Sequence, residues 1–278
     1  MNMTERAYAM LQFRALKHFK WNISFRSDHK TAYPDYMYGQ FKNGTGMLKS
    51  DFRFTEISAG FRFAFREKFL QTKRIRISLG TKYPVLRFQY TRGLDGMLNA
   101  EFDYHRFDLK LLESFYTKYL GLTSIEVRAG YIDGDLPYCN LYNGNGSYRI
   151  FTIYAANSFA TMRMNEFLSN RYVALYFSHN FGTLLVRTRF FSPEIVLATN
   201  IAFGDLNNPG QHHNVDFKTM EKGYYESGIM LHGLLDLQLY KLGAGVFYRY
   251  GPYGYDIPAK NFAYKISIVF PIESVKRL

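Results

Sequence analysis

The sequence predicts an all-β fold, an antiparallel transmembrane β-barrel of about twelve strands with short periplasmic turns and longer outer loops. Three observations predict it. First, the last strand alternates strictly: Phe262, Tyr264, Ile266, Ile268 and Phe270 are large and apolar, while Ala263, Lys265, Ser267 and Val269 between them are small or polar. Period two gives a strand one greasy and one mild face, and aromatics at both tips with aliphatics between them are the profile of a strand that crosses a bilayer. Second, the 278 residues include 24 Tyr and 26 Phe, yet the mean hydropathy is only −0.24. Strands that alternate apolar-out and polar-in produce that combination. Third, no apolar run is long enough for a transmembrane helix. A soluble β-sandwich or barrel is the competing class; alternation that recurs with aromatic ends favours lipid.

The elements follow from alternation and from Gly, Pro, Asn and Asp as turn signals. A first clear strand covers 17–29, and a loop rich in Tyr, Gly and Asn covers 30–50. In 51–66, Ile57, Ala59, Phe61, Phe63 and Phe65 form the lipid face, and Glu56, Ser58, Gly60 and Arg62 the inner one. A short turn at 67–72 precedes a strand over 74–83, with Ile75, Ile77 and Leu79 out and Arg74, Arg76 and Ser78 in. Pro84 has no N–H for the ladder, and the phase flips there to Leu86, Phe88 and Tyr90, as at a bulge or a kink in the wall. Segment 99–119 is long, with a second phase change near His105. In 122–132, Ile125, Val127, Ala129 and Tyr131 oppose Ser124, Glu126, Arg128 and Gly130. A turn-rich stretch, 133–147, leads to a candidate strand at 148–157; 158–170 has a helix-compatible composition and reads as an inserted loop. Strands over 171–181 and 183–191, a tight turn at Ser192-Pro193, and a strand over 194–204 follow. The polar loop 205–225 and strands over 228–235, 237–250 and 261–270 complete the wall. Short turns at 67–72 and 192–193 are expected to face the periplasm, and the loops 30–50 and 205–225 the outside. No repeat, linker or composition shift divides the chain, so 1–278 reads as one domain.

Charge and cysteine usage narrow the function. A single cysteine, Cys139, excludes an internal disulfide framework and fits a loop thiol without a role. The net charge of +12 raises nucleic-acid binding. Lys and Arg are scattered through strands and turns, however, and read better as inner-face charge plus contacts to anionic head groups. The expected partners are therefore outer-membrane lipid and lipopolysaccharide, with other outer-membrane or periplasmic proteins possible and no nucleic acid. Glu5, Arg6, Arg14, Lys17 and Lys20 break any signal-peptide core. Since a barrel must cross the inner membrane first, the expectation is that Met1 is not the start of the natural precursor, or that the chain is a fragment.

Little in the sequence carries catalysis. Ser178-His179-Asn180 has the residue types of an outer-membrane phospholipase, but neighbours on a strand point to opposite faces and cannot form one triad. His212-His213, with Asp205 and Asp216 nearby, lacks the spacing of a metal motif and reads as a solvated loop. Gly243-Ala-Gly245 begins like a phosphate loop, but no helix follows; alternate glycines would let the wall bend or let something pack closely inside. No catalytic residue, cofactor or metal is expected. The more informative set is the inner-face charge network of Glu56, Arg62, Arg74, Arg76, Glu126, Arg128, Glu194, Lys241, Arg249 and Lys265. Its mixed signs favour pairing across a narrow or plugged lumen over a wide ion-conducting pore, because unpaired buried charge is costly.

Several segments resemble a Bacteroidota outer-membrane family of unknown function: Glu67-Lys-Phe-Leu70, Leu79-Gly-Thr-Lys-Tyr-Pro84, Gly134-Asp-Leu-Pro137, Asn165-Glu-Phe-Leu-Ser-Asn-Arg-Tyr172, Lys222-Gly-Tyr-Tyr-Glu-Ser-Gly228 and Gly243-Ala-Gly-Val-Phe-Tyr-Arg-Tyr-Gly-Pro-Tyr253. The likeness spans roughly residues 51–272. It implies a C-terminal barrel that usually follows an N-terminal carboxypeptidase-like regulatory domain, with no peptidase activity. The family barrel is distantly similar to the BamA/TamA surface-antigen superfamily, in which an Arg-Gly-Tyr loop folds into the lumen against an acidic wall residue. This chain has no Arg-Gly-Tyr; Arg163 or Arg171 would serve as the loop residue and Asn200 or Asp205 as the wall residue, and Asn170 stands where family members carry Asp. The expectation is a non-enzymatic barrel in the outer membrane of a Gram-negative bacterium, tied to envelope or outer-membrane protein biogenesis. The alternatives are a porin or transporter-like barrel for small solutes and a lipid-acting barrel enzyme. The closing strand is expected to be Phe262, Tyr264, Ile266, Ile268 and Phe270.

Overall fold

The computed structural model describes residues 3–32, 35–42, 45–71, 76–186, 192–237 and 240–269. They form an all-β protein dominated by one twelve-stranded sheet. Eleven of its members follow one another in chain order as an antiparallel meander: β1 (Met3–Phe13), β2 (Phe19–Thr31), β3 (Asp51–Ala64), β4 (Val85–Gly93), β5 (Tyr104–Thr117), β6 (Gly121–Asp133), β7 (Arg171–Asn180), β8 (Glu194–Asp205), β9 (Met220–Asp236), β10 (Lys241–Tyr250) and β11 (Phe262–Val269). The twelfth is a three-residue strand, Phe151–Ile153, which lies parallel to β11 on the edge that β10 leaves free. Within the described residues β1 and β11 do not pair with each other. No α-helix occurs there, and no helix is long and apolar enough to cross a membrane.

Period two sets the two faces of this wall, and antiparallel register carries each face from strand to strand. On β3, Phe61 stands opposite Trp21 of β2 and Phe88 of β4, whereas Arg62 stands opposite Lys20 and Arg87. Ile57, Leu109, Val173, Leu197, Ile229, Val246 and Tyr264 are exposed on the outward face. Asp28, Glu56, Glu126, Asn200, Glu226, Arg249 and Lys265 are buried on the other face. A sheet that exposes its aliphatics and buries its charges inverts the sidedness of a soluble domain.

Antiparallel alternation also sorts the connections. Segments 32–50, 94–103, 134–170, 206–219 and 251–261 leave one end of the wall; 14–18, 65–84, 118–120, 181–193 and 237–240 leave the other. The first end is capped. Strands Met37–Lys42 and Thr45–Lys49 form a hairpin, His212–His213 adds a third strand, and Tyr36, Tyr38, Phe52, Phe102, Tyr138, Leu141 and Leu206 pack into a cluster beneath.

Several expectations are corrected. The alternation over 74–83 is not a wall strand: Arg76–Gly80 pairs with Lys68–Gln71 in a separate hairpin, so 67–72 is not a plain turn, and Pro84 sits between that hairpin and β4. A free-standing hairpin alternates too, so periodicity alone could not separate it from the wall. Residues 158–170 are not helical but carry the strand Phe159–Arg163. Of the strand expected over 183–191, residues 183–185 are turn and bend, 186 has no regular structure, and 187–191 lie outside the described residues. β1 was not anticipated, because Glu5 and Arg6 interrupt its pattern and all eleven of its residues are exposed. His212 is buried in the cap and not solvated; its Nδ1 is 2.8 Å from Tyr36 Oη. Phe270 and the tail after it lie outside the described residues.

Candidate functional site

The charged face is covered by a segment of the chain itself. Much of segment 134–170, between β6 and β7, folds back against the inner face of the wall, and wall side chains hold this insert at several points. Near its start, Lys30 Nζ donates to the Cys139 carbonyl (3.1 Å) and to Asn140 Oδ1 (2.9 Å), while Asn140 Nδ2 donates to Tyr104 Oη at 2.8 Å. Tyr142 Oη donates to Asp108 Oδ1 at 2.9 Å. Its ring lies on Gly130, where an added Cβ would come within 2.5 Å of Tyr142 and Tyr172; a side chain at that position would lift the insert off the wall.

Three buried wall charges also grip the insert. Glu226 on β9 has no exposed surface. It accepts the backbone N–H groups of Ala160 (2.8 Å) and Thr161 (2.9 Å), the Thr161 hydroxyl (2.5 Å) and Asn200 Nδ2 (2.8 Å). Four donors disperse the charge of a carboxylate that has lost its water, which is how a buried anion is accommodated. Arg249 on β10, also fully buried, donates to Glu166 Oε1 of the insert at 2.7 Å. Its guanidinium lies 4.8 Å from the ring centres of both Tyr224 and Tyr255. Lys265 on β11 donates to Ser147 Oγ (2.8 Å), Thr152 Oγ1 (2.8 Å) and the Arg149 carbonyl (3.1 Å). Between the middle of the insert and the wall runs a cleft of about 720 Å3, reached by Arg128, Asn157 and Lys265.

The other sequence-predicted residues divide between this seat and places away from it. Glu56 pairs with Arg26 and accepts from Tyr104 Oη; Glu126 pairs with Lys110 (2.7 Å) and Arg128 (2.5 Å) and accepts Asn157 Nδ2 of the insert (2.7 Å). Arg62 makes a two-pronged pair with Glu67, which lies outside the wall strands. Glu194 accepts Asn180 Nδ2 at 2.8 Å between neighbouring strands. By alternation Lys241 shares the face of Arg249 on β10, Arg76 lies on the separate hairpin, and Arg74 is outside the described residues. Of the loop–wall candidates, Arg163 is exposed, and Arg171 pairs with Asp205 across β7 and β8. Asn200 does reach the insert, donating to the Ser158 carbonyl at 3.3 Å. The one arginine–carboxylate pair between wall and insert among the described residues, Arg249–Glu166, has the arginine on the wall, while the wall carboxylates Glu126 and Glu226 take amide, hydroxyl and main-chain donors of the insert.

The sequence reading missed Glu226, Glu166, Asn157 and Lys30. Glu226 carried a usable signal, because it is the charged residue at an inner-face position between Tyr224 and Gly228. Ser178 and His179 do not assemble a triad: His179 Nδ1 lies 2.9 Å from Thr123 Oγ1 and its Nε2 3.0 Å from the Leu120 carbonyl. Among the described residues no three His, Cys, Asp or Glu groups converge to hold a metal. Outside the wall, burial lowers the pKa of His212 to about 4, so its imidazole is neutral at pH 7.

The model of one protein family matches residues 21–218: a family of unknown function (DUF5686), C-terminal domain. No curated protein matches. Among solved structures, CdiB from Acinetobacter baumannii is similar, with a TM-score of 0.48 and 11% identity. The match covers 97% of this chain and 50% of that one, so the chain spans half the length of CdiB.

Proposed function

We propose, starting from the fact that the chain belongs to the DUF5686 C-terminal domain family, that it is a non-enzymatic β-barrel domain of a Gram-negative outer membrane. The meander curls around residues 134–170, which fill its lumen, and lipid contacts the outward face. The observation that carries this reading is the inverted sidedness of the wall. Ile57, Leu109, Val173, Leu197, Ile229 and Tyr264 are exposed on one face, while Glu56, Glu126, Glu226, Arg249 and Lys265 are buried on the other against the chain's own insert. The partners are outer-membrane lipid and lipopolysaccharide, and the role is in envelope or outer-membrane protein biogenesis rather than solute flux. A porin needs a clear lumen; here the buried inner charges Glu56, Glu126, Glu226, Arg249 and Lys265 are taken up by neighbouring wall side chains or by the insert.

Purified protein tests the reading. It should require detergent, show β-type circular dichroism and migrate differently on gels with and without heating. In planar bilayers it should show no large, steady open pore. Folding as a detergent-free monomer would refute the barrel, and a persistent large conductance would replace the filled lumen with a porin.

A further inference from the structure

One stretch of the insert does not stay on the inner face. Residues 148–153, which Lys265 holds at Arg149 and Thr152, run out to the edge of β11 that β10 leaves free. The Tyr264 N–H donates to the Ile150 carbonyl (3.0 Å), and the Tyr154 N–H to the Ile266 carbonyl (2.8 Å). In the register between them, Phe151 lies beside Tyr264, Thr152 beside Lys265 and Ile153 beside Ile266. Strand alternation therefore sends Thr152 inward, where it meets the Lys265 ammonium at 2.8 Å. Phe151 and Ile153 point outward. They are 63% and 64% exposed, more than Tyr264 at 53%, and prolong the row of outward residues on β11 by one strand. No charged residue occurs in 150–155. Burying two such side chains in hydrocarbon is favourable, whereas leaving them in water beside a paired edge gains nothing.

We propose that the insert reaches the membrane: Phe151 and Ile153 contact lipid acyl chains as part of the same apolar belt as Tyr264 and Ile266, and the Phe151–Ile153 strand covers the seam beside β11. The argument is continuity. The occupant of this patch is whatever covers Tyr264 and Ile266, so the inference rests on the membrane reading above. It adds that a segment anchored inside the lumen also forms part of the outer surface. The three-residue ladder shields that stretch of the β11 edge from other strands, and its inward Thr152 ties it to Lys265.

Tryptophan quenching tests it in phosphatidylcholine vesicles whose acyl chains carry bromine, with iodide as the aqueous quencher. The one native tryptophan is removed as Trp21→Phe. Single tryptophans are then placed as Phe151→Trp or Ile153→Trp, as Tyr264→Trp and Ile125→Trp on the wall, and as Tyr154→Trp, whose native ring stacks on Phe247 inside. The expected result is equal loss of emission to bromolipid at 151, 153, 264 and 125, with little loss at 154 and none of the four quenched by iodide. If 264 and 125 respond to bromolipid while 151 and 153 behave like 154 or respond to iodide alone, the inference is overturned and the membrane reading stands. If 264 and 125 also ignore bromolipid, both fall.

Discussion

Replacing Glu226 with alanine should release the insert, and the size of the effect can be worked from its four donors. Two have other partners: Thr161 Oγ1 also lies 2.7 Å from Tyr224 Oη, and Asn200 Nδ2 also donates to the Ser158 carbonyl at 3.3 Å. The N–H groups of Ala160 and Thr161 have no such second acceptor in this geometry. Each orphaned, buried N–H costs about 1–3 kcal/mol, so Glu226→Ala should weaken the seat of the insert by about 4 kcal/mol. Glu226→Gln keeps one carbonyl oxygen for one of the two amides and turns an NH2 toward the other, for a loss of about 2 kcal/mol. Hydrogen exchange read by mass spectrometry in detergent measures this directly. Protection over 158–163 should fall by about three orders of magnitude in Glu226→Ala and by about thirty-fold in Glu226→Gln. Peptides from the β5–β6 hairpin, which lacks contacts to Glu226, should keep parental rates. If exchange over 158–163 changes by less than about tenfold in Glu226→Ala while the wall stays folded, the carboxylate does not hold the insert and the reasoning fails.

Three further outcomes are expected. Arg249→Met should destabilise the protein by about 3 kcal/mol, since it takes the charged partner from Glu166, a half-buried carboxylate that keeps the Arg163 N–H; Glu166→Gln should cost less, because Arg249 keeps an amide acceptor and two rings. Heat-modified gel shifts would rank the two, and the opposite order would refute the pairing. Ile125→Arg should impair assembly by about 2–4 kcal/mol, and its neighbour Ser124→Arg on the inner face much less; equal yields of folded protein would mean that the faces are assigned wrongly. His212 gives the cap a pH dependence: its folded pKa of about 4 lies below the ordinary value of 6.5, so the unfolded form binds the proton more readily. Stability is complete above pH 7 and falls as pH drops from 6.5 toward 4, by about 2 kcal/mol between pH 7 and pH 5. Exchange over 35–42 should rise accordingly, and His212→Phe should flatten the response.

Much of the wall was legible because its two faces, one exposing apolar side chains and one burying charges, impose opposite demands on alternate residues. The rows of Ile57, Ala59, Phe61 and Phe63 on β3 and of Tyr264, Ile266 and Ile268 on β11 survive from sequence to structure. The hairpin 68–80 shares that alternation, so nothing local separated it from a wall strand. β1 escaped notice because an edge strand exposed on both faces is under no pressure to keep one face apolar. The mixed charge of Glu126, Arg128 and Arg249 pointed to pairing rather than an open pore. The partners of Arg249 and Glu226 stayed hidden, because Glu166 is 83 residues from Arg249, and Ala160 and Thr161 bind through backbone groups that every residue has. Sequence reveals the side chain that grips but not the main chain it grips.

The insert sits near the middle of the chain, and its anchors lie far away in both directions: Lys30 is 110 residues from Asn140, and Lys265 is 118 residues from Ser147. The meander, by contrast, pairs each strand with its sequence neighbour. Hairpins close short loops and form quickly, whereas contacts across more than a hundred residues must wait until both ends are in place. The wall should therefore form from local pieces, and the insert should seat last, drawn against β2 and β3 by one half of the chain and against β9, β10 and β11 by the other. An assembly intermediate lacking the final three strands would already have most of its outer belt, but with Glu226, Arg249 and Lys265 absent residues 147–166 would have lost those three anchors.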